Sequence, residues 1–151
     1  MNFADRLIKA IVSKKSYLCV GLDPQVNLFP PHLLKHNGGL FYNSLEATAA
    51  TIFQFNQAII NATIRFAVCY KPQIAFYEKY GPAGITALYE TIKYLKSIGA
   101  MIILDAKRED GGATAEAYAH AYLGYIEVVN AEGELEEEIS MYMPNTAINL
   151  K

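Results

Sequence analysis

The chain has 151 residues, the length of one domain, and at 52% hydrophobic and 19% charged it holds enough apolar material for a packed core, which excludes a disordered tail. Thirteen Lys and Arg against fifteen Asp and Glu leave a formal charge of −2, without the basic stripe that nucleic-acid binding needs. No stretch reaches the roughly 20 apolar residues of a membrane span, and Asp5, Arg6 and Lys9 interrupt the place where a signal peptide would be apolar, so a cytoplasmic protein is expected.

Phe3, Leu7, Ile8, Ile11 and Val12 recur at helical spacing and predict a short leading helix. Tyr17 to Asp23 is a nearly continuous apolar run closed by a carboxylate, the pattern of a strand buried on both faces in a parallel sheet. Residues 27–43, with Pro30, Pro31, Gly38 and Gly39, read as a long loop. Leu45, Ala49, Ile52, Asn56 and Ile59 then predict a helix from Ser44 to Ala62, with Ser44 as its N-cap. Phe66 to Lys71 is a second strand, ended by Pro72, which disfavours helix at the residue before it. Ile85, Leu88, Tyr89, Ile92 and Leu95 mark another helix, closed by Gly99.

Ala100 to Asp105 is a third strand, followed by a glycine-containing turn and a helix from about Ala113 to Leu123. Gly133 to Glu138 carries four glutamates and reads as a solvated loop or helix end, and Thr146 to Leu150 as a fourth strand. Cys19 and Cys69 lie inside apolar runs and are expected to be buried thiols, not a disulfide framework or a zinc site. Strand–helix alternation of this kind predicts a single α/β domain over 1–151 with about four βα units, half of an eight-stranded barrel. A complete barrel of that type takes about 250 residues; a small open parallel sheet is the competing architecture.

The chemistry collects where the strands end. Asp23, Lys71 and Asp105 with Lys107 terminate successive strands, and parallel α/β folds build their sites at those carboxyl ends. One such charge commonly marks no more than the point where a buried strand meets water. Alternating carboxylates and ammoniums from neighbouring strands converge on one mouth, which favours a site. Asp105 and Lys107 project to the same side of an extended chain and would hold each other ionised. His32, His36 and His120 are scattered without metal-ligand spacing. Gly111-Gly112 is read as a turn in preference to an anion cradle, and Tyr77, Tyr80, Tyr118 and Tyr122 as packing residues.

GLDP at 21–24, YKPQIAFYEKYG at 70–81 and DAKREDGGATAEAYAHAYLG at 105–124 resemble the longer bacterial branch of orotidine 5′-phosphate decarboxylase. The resemblance implies a (β/α)₈ barrel that converts orotidine monophosphate to UMP in pyrimidine synthesis, with no metal or organic cofactor, as a homodimer with shared sites. It implies a catalytic network of Lys71, Asp105, Lys107 and Asp110, with Asp110 reaching in from the other subunit. Asp23 and Thr114 would bind the ribose, and Lys107 would protonate the reacting carbon. The same resemblance places the phosphate-binding groups, including an arginine, in a second half beyond Lys151. Glu109 stands where the family has Gly, and Gly111 where it has an aliphatic residue. The other readings are a non-catalytic remnant or interaction module, and a different sugar-phosphate barrel enzyme using a D-x-K-x-x-D site. The expected state of the 151-residue chain alone is inactive or impaired.

Overall fold

Asn2 opens the first helix, α1 (Phe3–Lys14), by accepting the Asp5 N–H on its side-chain oxygen at 2.9 Å. A computed structural model of the chain describes residues 2–38, 45–108 and 110–140. The apolar stripe of α1 sets Phe3, Leu7, Ala10 and Ile11 against Val68, Cys69 and Met101. At its far end Lys14 Nζ donates to the carbonyls of Ile64 and Ala67, each at 2.7 Å, tying the helix to the start of the second strand.

That strand, β2 (Ala67–Pro72), is the centre of the sheet. On one side it pairs in parallel with β1 (Leu18–Leu22), Gly21 opposite Lys71 and Leu22 opposite Pro72. On the other side the extended segment 101–105 runs parallel to it. Tyr70 N donates to Met101 O at 2.9 Å, Ile103 N to Tyr70 O at 2.9 Å, and Asp105 N to Pro72 O at 3.0 Å. Every residue of β2 except Lys71 is buried.

β1 differs from its sequence expectation. Only Leu22 is buried; Leu18 is 43% exposed and Cys19 is exposed. The apolar run encodes a strand but not how many layers cover it. Val20 and Leu22 turn towards the large core cluster, while Cys19 and Gly21 alternate to the opposite face, where both are exposed and α1 covers the neighbouring β2.

The covering layer is made by α3 (Leu45–Thr63), the short α4 (Ala75–Glu78) and α5 (Gly81–Ser97). Ile52 and Ile60 of α3, Leu88, Ile92 and Leu95 of α5, and Tyr70, Ile74, Tyr77 and Ile102 form a continuous buried cluster. Its size follows from the 3.6-residue apolar periodicity of both long helices. Gly84 permits the close approach of α5 to α4: a Cβ there would stand 2.0 Å from the Tyr77 carbonyl oxygen. Gly99, at φ +69°, makes the left-handed turn that ends α5 and starts the segment 101–105.

Two stretches correct the sequence reading. Residues 27–43 contain structure: a 3₁₀ turn (Val26–Leu28) is followed by α2 (Pro31–Gly38). Pro31 stands at the first helical position, where its missing N–H is no loss and its fixed φ suits the helix. The glutamate-rich stretch is neither loop nor helix end. After α6 (Gly112–Leu123), β3 (Tyr125–Val129) pairs antiparallel with β4 (Leu135–Ile139). Asn130 shapes the turn, its side-chain oxygen accepting from Glu132 N at 3.1 Å and Glu134 N at 2.9 Å. The glutamates are solvated as expected, and a hairpin with mostly exposed strands needs no apolar alternation to announce it.

Three of the expected parallel strands therefore lie within the described residues. Ser44 and the fourth strand, Thr146 to Leu150, lie outside them. Among the described residues, no helix is long and apolar enough to cross a membrane.

Candidate active site

The parallel sheet delivers its charged residues to one end. Lys71 is the penultimate residue of β2, Asp105 ends the neighbouring segment, and the Gln73–Asp105 bridge sets them side by side. Ile74 N donates to Asp105 O at 3.1 Å, which fixes the backbone that carries the carboxylate. Lys71 Nζ stands 3.5 Å from Asp105 Oδ2. Lys107 Nζ grips the same carboxylate with both oxygens, at 2.5 Å to Oδ1 and 2.6 Å to Oδ2. One carboxylate thus holds two ammoniums.

The electrostatics follow from that arrangement. The Lys107 hydrogen bonds hold the Asp105 carboxyl below its usual range; partial burial opposes them, and the charges of Lys107 and Lys71 add to the lowering. The Lys71 and Asp105 side chains are 35% and 23% exposed and Lys107 is 72% exposed, so its ammonium is presented outward, anchored from below. Lys107 does this from a left-handed backbone, φ 48°, a conformation that costs a side-chain-bearing residue energy and persists where neighbours impose it.

Arg108 is the imposing neighbour. Its guanidinium pairs with the Glu78 carboxylate of α4, donates to Ala106 O at 2.8 Å, and lies over the rings of Tyr118 (5.8 Å) and Tyr122 (6.0 Å) in α6. The segment after Asp105 is therefore pinned on both sides of Lys107. Glu78 and Arg108 were not singled out from the sequence. Their opposite charges, one in each of the two longest motifs, were the available signal.

A buried polar chain fixes the other strand end. Tyr77 Oη donates to the Leu22 carbonyl at 3.0 Å and accepts from Asn56 Nδ2 at 2.9 Å; Asn56 also donates to Thr91 Oγ1 at 3.0 Å. It links the end of β1 to α3, α4 and α5. Burial pushes the Tyr77 phenol up; the Asn56 bond opposes this, and the charge of Asp23 adds to it.

The remaining expected site residues stand apart from the ion network. Asp23 follows β1 at the same end of the sheet and is exposed. Asp110 is exposed, and its carboxylate accepts the Gly111 N–H at 2.7 Å; among the described residues it makes no ion pair with Lys71 or Lys107. Thr114 is exposed in the first turn of α6. Glu109 lies outside the described residues, as does the side chain of His36. His120 Nδ1 donates to Tyr125 O at 2.9 Å, a structural role at the end of α6, and His32 is exposed in α2. Among the described residues, no three His, Cys, Asp or Glu side chains converge as a metal site.

Comparison with known proteins identifies the family. The model of the orotidine 5′-phosphate decarboxylase / HUMPS family matches residues 16–139. The orotidine 5′-phosphate decarboxylase of Rhodopirellula baltica is 42% identical over 127 residues, covering 84% of this chain and 41% of that protein. That of Clostridium novyi is 39% identical over 140 residues, covering 93% and 43%. Among solved structures, the OMP decarboxylase of Leishmania donovani superposes with a TM-score of 0.60 at 34% identity, over 82% of this chain and 40% of that one. The orotidine 5′-monophosphate decarboxylase of Plasmodium berghei gives 0.63 at 26% identity, over 79% and 48%. The chain spans about two-fifths of the length of the curated relatives it matches. With its parallel strands as part of a barrel, and its ionic residues within the matched span, this chain belongs to the orotidine 5′-phosphate decarboxylase / HUMPS family.

Proposed function

We propose that this chain carries the decarboxylating groups of an orotidine 5′-phosphate decarboxylase, acting on orotidine monophosphate in pyrimidine synthesis, in the cytoplasm, as one domain over 1–151. The observation that carries the reading is the Lys71–Asp105–Lys107 network at the carboxyl ends of neighbouring parallel strands. Loss of CO₂ leaves an electron pair on a ring carbon, and an ammonium fixed beforehand lowers the energy of that charge with little reorganisation. Lys107 serves as that ammonium and then donates its proton to the carbon. Asp105 orients Lys107, and Lys71 keeps Asp105 ionised on its other side. Asp23 and Thr114 are the ribose-binding residues. Asp110, exposed on the loop before α6, acts in the site of a second subunit in a homodimer.

Partial coverage of the relatives favours a second reading for the chain alone, a non-catalytic piece. Binding energy from the substrate phosphate supports the chemical step in such enzymes, and the resemblance puts the phosphate groups outside these residues. The test is a chimera in which residues 1–140 replace the matching part of the Clostridium novyi relative, assayed by loss of orotidine monophosphate absorbance. The chimera is expected to turn over and its Lys107→Ala variant to lose turnover by at least about 100-fold. A folded chimera without activity, or a Lys107→Ala chimera with full activity, overturns the assignment.

A further inference from the structure

The two cysteines of the chain meet. Cys19 on β1 and Cys69 on β2 are direct register partners, reached just after the register shift between Leu18 and Cys19. Adjacent strands lie about 4.7–4.9 Å apart, inside the Cα separation of about 4.4–6.8 Å that a disulfide spans. Directly paired positions in a parallel ladder project to the same face. The environments of the two thiols are opposite: Cys19 is exposed, while Cys69 is 3% exposed beneath α1.

We propose that Cys19 and Cys69 form an oxidisable dithiol, closed to an intramolecular disulfide by a hydroperoxide, that staples β1 to β2 beneath the ion network. Exposure makes Cys19 the first to react. Its sulfur attacks the peroxide O–O bond and takes one hydroxyl. The thiol proton passes to the departing oxygen, giving a sulfenic acid and, from hydrogen peroxide, one water. The Cys69 sulfur then displaces that hydroxyl: the S–S bond forms, the S–O bond breaks, and the Cys69 proton leaves with the hydroxyl as a second water. Two thiols lose two electrons and the peroxide gains them.

Burial, with the Cys19 thiol adding to it, pushes the Cys69 thiol up to about 12. Cys69, buried and with its thiolate disfavoured, does not react first with peroxide and serves as the resolving group, not the sensor. The staple has a defined place in the fold. Cys69 and Lys71 lie two residues apart on β2, and Gly21 opposite Lys71 lies two beyond Cys19. The bond would join the open-edged strand to the central one directly below the lysine. The proposal does not depend on the decarboxylase reading.

The purified chain, treated with near-stoichiometric hydrogen peroxide, is resolved by size and alkylated in denaturant, and its peptides are mapped by mass. The monomer is expected to lose both thiols together and the mass of two hydrogens, to yield a Cys19–Cys69 linked peptide, and to recover both thiols on reduction. The oxidised monomer is expected to unfold at a higher urea concentration. Cys19→Ser, at the exposed position, is expected to leave Cys69 alkylatable after the same treatment. Cys19 advancing to sulfinic acid while Cys69 stays free, or cross-linking of separate chains through Cys19, overturns the proposal. The parent chain decides the outcome by itself, so a variant that fails to fold does not obscure it.

Discussion

At the scale of single residues, Asp105 is the pivot, because one carboxylate holds Lys71 and Lys107. Removing the Lys107 ammonium is expected to return the Asp105 titration towards the ordinary value of 3.8, read from its carboxyl carbon by NMR in Lys107→Ala. The sign for stability follows. A carboxyl whose pKa is depressed by folding stabilises the fold at pH above its unfolded value, and loses that contribution as pH falls through the folded one. Urea midpoints should therefore decline on acidification below about pH 4, and Lys107→Ala should flatten that decline. An exposed pair of this kind adds little in total, so the variant should fold nearly as stably as its parent. An unchanged Asp105 titration would contradict the geometry. Tyr77 is the converse case, buried and doubly bonded. Tyr77→Phe leaves the Leu22 carbonyl and the Asn56 amide each short of a partner, and should cost about 1–3 kcal/mol in urea unfolding.

At the scale of elements, two contacts were decided by geometry that single positions do not display. α5 approaches α4 only because residue 84 has no side chain; Gly84→Ala puts a methyl against the Tyr77 carbonyl. Overpacking there should cost about 1–3 kcal/mol and loosen α4, which carries the Glu78 partner of Arg108. Urea unfolding with near-ultraviolet circular dichroism would show both effects. The hairpin carries its own strain, since Glu127 stands opposite Glu137 in the antiparallel register. Like charges directly opposed weaken a strand pair, so Glu137→Lys should strengthen the hairpin by about 0.2–1 kcal/mol. Slower amide hydrogen exchange across 125–139 is the expected reading; faster exchange would contradict the register.

At the scale of the whole molecule, the sheet is asymmetric. β2 is paired on both sides, whereas among the described residues β1 ends the sheet, and the surface beside it carries Tyr17 at 85% exposed and Val12 at 70%. An unpaired parallel edge next to apolar side chains is a template for association. The 151-residue chain alone is expected to self-associate with concentration, measured by light scattering, and to turn over orotidine monophosphate poorly or not at all. A concentration-independent monomer would mean that the edge is already satisfied.

Sequence alone determined those features that local chemistry controls. The helices of 45–63 and 81–97 announce themselves by apolar spacing, since each buries one stripe, and the three parallel strands by apolar runs that stop at Asp23, Lys71 and Asp105. Those stops mark the end of the sheet at which Lys71 and Asp105 meet, because strands running in parallel bring their ends together. Tertiary structure decided what depends on neighbours far along the chain. Whether β1 is covered, whether a glutamate-rich stretch finds Tyr125–Val129 to pair with, and whether Cys19 meets Cys69 are set by which backbone lies alongside, which no local pattern records. The left-handed Lys107 is of the same kind: its backbone conformation is unfavourable by itself and is held by Arg108, Glu78 and the rings of α6, contacts that exist only once the elements have packed.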